Sequence, residues 1–229
     1  MAGIRRLQEM ISGTRRTIIK KLFYSVATAM LSFYPWSALV RSAAAKLKRQ
    51  ILPANTPMAS LINKNPRFLD TRNLEPIPLS QFGTMGLSDY TVETERWRLT
   101  VTGQVEKPLS LSFNDILKLP AVEKNVLLIC PGVFANFGRW KGISIAQLLK
   151  AAHADNRITH ITIRGPEGPD EKSKRFTVSE IQSDTVFLAY DINGKMLPQR
   201  HGYPLRAVAE GYFGFDWIKF VHQLEVEKT

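Results

Sequence analysis

Val186-Phe-Leu-Ala-Tyr-Asp-Ile-Asn-Gly-Lys-Met-Leu-Pro-Gln-Arg-His-Gly-Tyr-Pro-Leu-Arg206 decides the fold of this 229-residue chain. The stretch opens on an apolar run, reaches Asn193-Gly194 and returns through Lys195 to Leu197. Asn-Gly suits the two left-handed positions of a tight hairpin turn, so the reading is strand, turn and return strand.

Downstream, Trp217 to Val226 alternates, with Ile218, Phe220, Leu224 and Val226 on one face and Trp217, Lys219 and Val221 on the other. This predicts a last strand, its apolar face interrupted at His222. Upstream, Trp97–Gly103 and Ile158–Arg164 alternate in the same way, and His160 reads as a surface strand residue. Ser112 to Pro120 fits a short N-capped helix, and Ser144-Ile-Ala-Gln147 has the spacing of a capping box opening a helix to Ala152. The charged stretch Asp170 to Arg175 reads as a solvated loop tip. Short helices among many strands predict an α+β domain with mixed sheets.

The one cysteine, Cys130, ends the apolar run Val126-Leu-Leu-Ile129 just before Pro131-Gly132. The pattern is a buried strand that stops abruptly and presents the thiol at its end. Two readings stand side by side, a small buried hydrophobe and the centre of a site.

The chain carries 31 Lys+Arg and 20 Asp+Glu, a net charge of +11. Residues 1–50 hold 10 and 1 of these, leaving 21 and 19, so the leader carries +9 and the remainder only +2. A nucleic-acid groove needs its charge on the folded body, so the composition argues against DNA or RNA as a partner. Arg15-Arg16 precedes the 19-residue uncharged run Leu22 to Val40, and Ala43-Ala-Ala45 follows it. This is the layout of a twin-arginine-like export signal, which predicts a periplasmic body. A retained membrane anchor competes with it, flanked by Arg41, Lys46, Lys48 and Arg49, while a soluble amphipathic helix lacks the polar face it needs. An unpaired thiol exported to an oxidising compartment must be buried or ligated. From Ile51 to about residue 96 the prolines at 53, 57, 66, 76 and 78 forbid a long helix and predict an extended arm. Within it, Gln81-Phe-Gly-Thr-Met-Gly86 lets backbone approach a ligand.

The quoted stretch, continued by Gly211-Tyr-Phe-Gly214 and Trp217-Ile-Lys219, resembles a core motif of the molybdopterin-binding domain of the sulfite oxidase family. The Cys130 strand, followed by Trp140-Lys-Gly and the Ile145-to-Leu149 helix, resembles that family's metal-ligating cysteine region. The resemblance runs from about Trp97 to Val226. It implies a molybdenum-molybdopterin cofactor, with a tungsten form also compatible, held through Cys130 as the metal's protein thiolate. His201, Arg206 and Lys219 match the residues that meet the polar and phosphate end of the cofactor, and Gly202, Gly211 and Gly214 those that let backbone approach the pterin.

Departures bear on the substrate. Sulfite oxidases follow the cysteine with paired arginines, whereas this chain reads Pro131-Gly-Val-Phe-Ala-Asn-Phe-Gly-Arg-Trp140, and Glu210 stands where a proline is common. Arg139 and Arg164 are the candidates for an anion pocket. The chain reaches Thr229 just after the last matched strand, the plan of the short bacterial form. The expected protein has a signal or anchor over residues 1–50, an arm over 51–96 and a catalytic domain over 97–229. It moves an oxygen atom to or from a small substrate, with electrons exchanged through a haem membrane subunit or soluble cytochrome. The rival expectation is a non-catalytic cofactor- or anion-binding module of the same fold.

Overall fold

A computed structural model describes residues 49–166, 168 and 171–228. The export signal or anchor read in residues 1–50 therefore lies outside the described residues, apart from Arg49 and Gln50. Among the described residues no helix is long and apolar enough to cross a membrane. In chain order the strands are β1 (Gln50–Ile51), β2 (Leu69–Asp70), β3 (Leu99–Gly103), β4 (Leu109–Leu111), β5 (Ala121–Cys130) and β6 (Phe134–Ile143). They continue with β7 (His160–Arg164), β8 (Ser173–Thr177), β9 (Val186–Ile192), β10 (Lys195–Met196), β11 (Arg206–Ala209) and β12 (Gln223–Glu227).

One sheet runs β10-β9-β6-β5, with β11 also paired to β9, and every pairing in it is antiparallel. The other runs β4-β3-β12-β7-β8 and is mixed, because β3 and β12 are parallel. Short helices at Phe113–Leu117, Ile145–Ala151 and Val178–Gln182 complete the α+β architecture predicted from the sequence. One apolar cluster joins both sheets through Leu188, Trp140, Ile163 and Leu224.

The β5–β6 hairpin explains why its apolar run does not alternate. Val126 and Leu128 enter the main core, while Leu127 and Ile129 join Leu52, Leu61, Leu69 and Leu74 of the arm in a second cluster. Both faces of the strand are covered, so both need apolar residues. The isolated leucines of the arm supply the outer cover. Each such burial stabilises by about 1.5–3 kcal/mol. The arm is not simply extended: 3-10 turns at Met58–Leu61, Pro66–Phe68 and Leu79–Gln81 and the parallel pair β1–β2 place those leucines.

The Asn193-Gly194 turn forms as read, with φ of 56° and 76°. The return strand is shorter than predicted and ends at Met196, although Leu197 still donates its N–H to Tyr190 at 2.8 Å. The last strand begins only at Gln223, because Phe220 adopts a φ of 54° that no strand tolerates. Residues 173–177 form edge strand β8 instead of a loop, with Lys174 and Arg175 directed to Asp216 and Glu227. Ser144 makes no side-chain cap. Capping boxes form instead at Ser112 with Asp115 and at Thr177 with Glu180.

Candidate functional site

Cys130 is the last residue of β5, and the turn after it brings Phe134 opposite it on β6. A bridge between Ile129 and Phe213 lays the following segment beside the strand end. A side chain at Gly214 would meet Ile129 O at 3.3 Å and Cys130 Cα at 3.8 Å, so this glycine allows the close approach. The thiol is partly buried, and burial raises its pKa. It is therefore a poor nucleophile unaided, though a metal would deprotonate it.

The second half of the site comes from residues 199–221. A 3-10 turn at Gln199–His201 ends in Gly202, whose φ is 108°. A Cβ at Gly202 would lie 2.9 Å from Lys219 Cβ, so glycine lets the turn rest on Lys219. Hydrogen bonds from Phe220 N to Gly202 O, Ala207 N to Ile218 O and Val221 N to Leu205 O zip the two segments together. His201, Arg206 and Lys219 consequently share one pocket with Cys130 and Gly214. Gly202 and Gly211 are not in its lining, and Gly211, with φ of 82°, turns the chain beside Arg67.

Arg206 is the electrostatic centre. It is 3% exposed, donates Nη1 to His201 O at 2.9 Å, and its guanidinium lies 5.5 Å from the ring centres of both Trp140 and Trp217. Among the described residues no carboxylate pairs with it. Burial lowers its pKa to about 10, which leaves it charged at neutral pH. His201 is pushed down to about 4, first by burial and then by Arg206, Arg200 and Lys219, so its imidazole is neutral. A buried cation without a counter-ion is costly, and an anion is what relieves it. Three further buried donors or acceptors, His201 Nε2, Arg206 Nε and Trp217 Nε1, also lack partners within the described structure.

Lys219 is differently engaged. Its Nζ donates to Thr84 Oγ1 (3.0 Å), Met85 O (3.0 Å), Leu87 O (2.8 Å) and Arg200 O (2.7 Å). Burial and then Arg206 lower its pKa to about 8, while these four oxygens favour the ammonium. The arm loop Gly83–Leu87 thus forms a wall of the pocket. Buried Asn136 fixes the start of the loop by accepting from Gly83 N at 3.0 Å and donating to Gly83 O at 2.9 Å.

Arg139 and Arg164 are outside the pocket. Arg139 meets Glu123, and Arg164 meets Glu171 and Glu225. Sequence reading missed Trp217, Met85 and Asn136. The only signal was that Trp217 sits two residues before Lys219, and its indole looked like a core aromatic.

The donors fit a molybdopterin: a thiol at a strand end, and an anion-seeking arginine in the same pocket. Among the described residues no group of three His, Cys, Asp or Glu could hold a metal, so further ligands would come from the cofactor. A family model described as the oxidoreductase molybdopterin binding domain matches residues 86–229. The chain belongs to that family. Its curated relatives include the protein-methionine-sulfoxide reductase catalytic subunit MsrP of Gluconobacter oxydans, 29% identical over 166 residues, covering 64% of this chain and 53% of that protein. The Campylobacter jejuni protein of the same name is 26% identical over 149 residues, covering 59% and 50%. The chain therefore spans about half the length of these relatives. Among solved structures, the sulfane dehydrogenase SoxCD of Paracoccus pantotrophus shares the fold, with a TM-score of 0.58 at 22% identity over 80% of this chain and 51% of that one. This molybdopterin-binding domain is thus an oxidoreductase domain of the sulfite oxidase type of fold.

Proposed function

We propose that this domain is an exported molybdenum enzyme that reduces a neutral sulfoxide to a sulfide. The observation that carries the reading is Arg206, buried beside two tryptophans with no carboxylate paired to it among the described residues, in the same pocket as the strand-end thiol of Cys130. Cys130 would hold the metal, and Arg206, His201 and Lys219 would hold the polar and phosphate end of the pterin. Two-electron transfer and acceptance of the oxygen atom are the chemistry that the cofactor supplies when bound. Tungsten is the alternative metal.

The surroundings of the thiol support a neutral substrate. Arg139 and Arg164 are neutralised elsewhere, and the exposed apolar residues Met85, Val133 and Phe215 lie in the pocket wall or the turn after Cys130. Such a rim favours a sulfoxide carried on an apolar or peptide group over sulfite. The two MsrP relatives, catalytic subunits of protein-methionine-sulfoxide reductases by name, point the same way. In the overall change a sulfoxide takes up two electrons and two protons and becomes a sulfide and water. The electrons would come from a haem membrane subunit or soluble cytochrome, and the leader over residues 1–50 would deliver the body to the periplasm as a cleaved signal or an anchor.

The test is to produce the full chain in a host with a working cofactor pathway, measure molybdenum and tungsten per chain, and assay sulfoxides, N-oxides and sulfite with a reduced viologen dye. Near-stoichiometric molybdenum and turnover of methyl sulfoxides are expected. Metal-free protein, or turnover of sulfite alone, contradicts the reading.

A further inference from the structure

The thiol of Cys130 has a neighbour of unusual chemistry. Met85 Sδ lies 3.7 Å from Cys130 Sγ. The backbone around this methionine is fixed: Asn136 holds Gly83 through two hydrogen bonds, Lys219 Nζ binds Met85 O, and Thr84 Oγ1 donates to Arg200 O at 3.0 Å. Its side chain, by contrast, is 50% exposed and unbranched, a shape with several rotatable bonds. The mount is held by these contacts, and the thioether reaches from it to the thiol. An exposed methionine is readily oxidised to its sulfoxide, and a thioether is the product of sulfoxide reduction.

We propose that Met85 is an intramolecular substrate of this site: when oxidised, its sulfoxide is reduced in place, beside Cys130. The proposal rests on the sulfoxide-reductase reading above. In the step the S=O bond of Met85 sulfoxide is broken, two electrons from two equivalents of a reduced one-electron donor and two protons are consumed, and the oxygen leaves as water. Met85 returns as the thioether seen against Cys130. The loop thereby repairs the one oxidation that would place a polar group against the metal's protein ligand.

Met196 is the internal control, because it is also about half exposed but lies on β10 and outside the pocket lining. The metal-loaded protein is treated with hydrogen peroxide, freed of it, diluted and given reduced viologen, and the oxidation of both methionines is followed by peptide mass spectrometry. Met85 is expected to return at a rate independent of protein concentration, with Met196 slower and slowing further on dilution. If free methionine sulfoxide is turned over while Met85 recovers no faster than Met196, or with the same dilution dependence, the inference is overturned and the reductase reading survives. If neither free nor Met85 sulfoxide is reduced, both fall. A second readout needs no metal: in the cofactor-free protein, Met85→Ala is expected to speed alkylation of Cys130 at least ~3-fold by uncovering the sulfur. An unchanged rate would mean that Met85 does not cover the thiol and would overturn the proposal.

Discussion

Arg206 and Arg164 both sit at strand termini, and the protein treats them in opposite ways. Arg164, at the end of β7, is partly exposed and meets Glu171 at 3.0 Å and Glu225 at 2.6 Å. Arg206, at the start of β11, is buried among two tryptophans and His201, with Lys219 in the same pocket and no carboxylate paired to it among the described residues. The chain neutralises charge where water already does much of the work and leaves it uncompensated where water is excluded. The difference marks Arg206 as waiting for an anion from outside the chain.

Arg206→Met should give the largest effect. Molybdenum per chain is expected to fall at least ~10-fold, since a charge-assisted contact to phosphate is lost along with its stacking position. The cofactor-free variant should be no less stable than wild type, because the change removes a buried unpaired ion. Full metal loading would erase the contrast between the two arginines.

Lys219→Met removes the three hydrogen bonds, to Thr84, Met85 and Leu87, that tie the arm loop to the pocket. In the cofactor-free protein the amides of residues 84–87 should exchange about tenfold faster or more, given roughly 1.5–3 kcal/mol for hydrogen bonds to a charged group. Unchanged protection would show that the loop is held without it.

His201 supplies a pH test on the cation-rich side. Its folded-state pKa is lowered to about 4 from an ordinary 6.5. As pH falls, the unfolded chain takes up the proton first, so stability is lost between about 6.5 and 4 and is full above that window. His201→Gln should flatten the denaturant midpoint against pH in that range. The smallest effect belongs to Arg164→Met, where a partly exposed pair predicts about 1 kcal/mol or less and unchanged metal content.

How much of this was legible depends on whether the signal was local. The Asn193-Gly194 hairpin and the Cys130 strand end are short-range patterns that spoke for strands and turns, while the grouping of Cys130, His201, Arg206 and Lys219 came from the resemblance of their motifs to the sulfite oxidase family. Strand β6 was hidden because Gly138 and Gly142 break its alternation. Gly138 is there to admit Phe82, whose Cζ would lie 2.7 Å from an added Cβ. Strand β8 looked like a loop because its charges are matched by Asp216 and Glu227, partners distant in sequence. Met85 and Trp217 were silent for the same reason: a methionine in a glycine-rich loop and a tryptophan before a lysine have no chemistry until the fold brings them to one pocket.

If Cys130 and Arg206 belong to one cofactor site with Cys130 on the metal, removing the thiolate must alter the metal's electronic signature. The most direct measurement is the Mo(V) EPR spectrum of the wild-type protein beside that of Cys130→Ala, both produced with a functioning cofactor pathway. The wild-type signal should change in its g values and hyperfine pattern, or vanish, when the thiolate is removed. The same signal in both proteins would contradict the assignment of Cys130 to the metal.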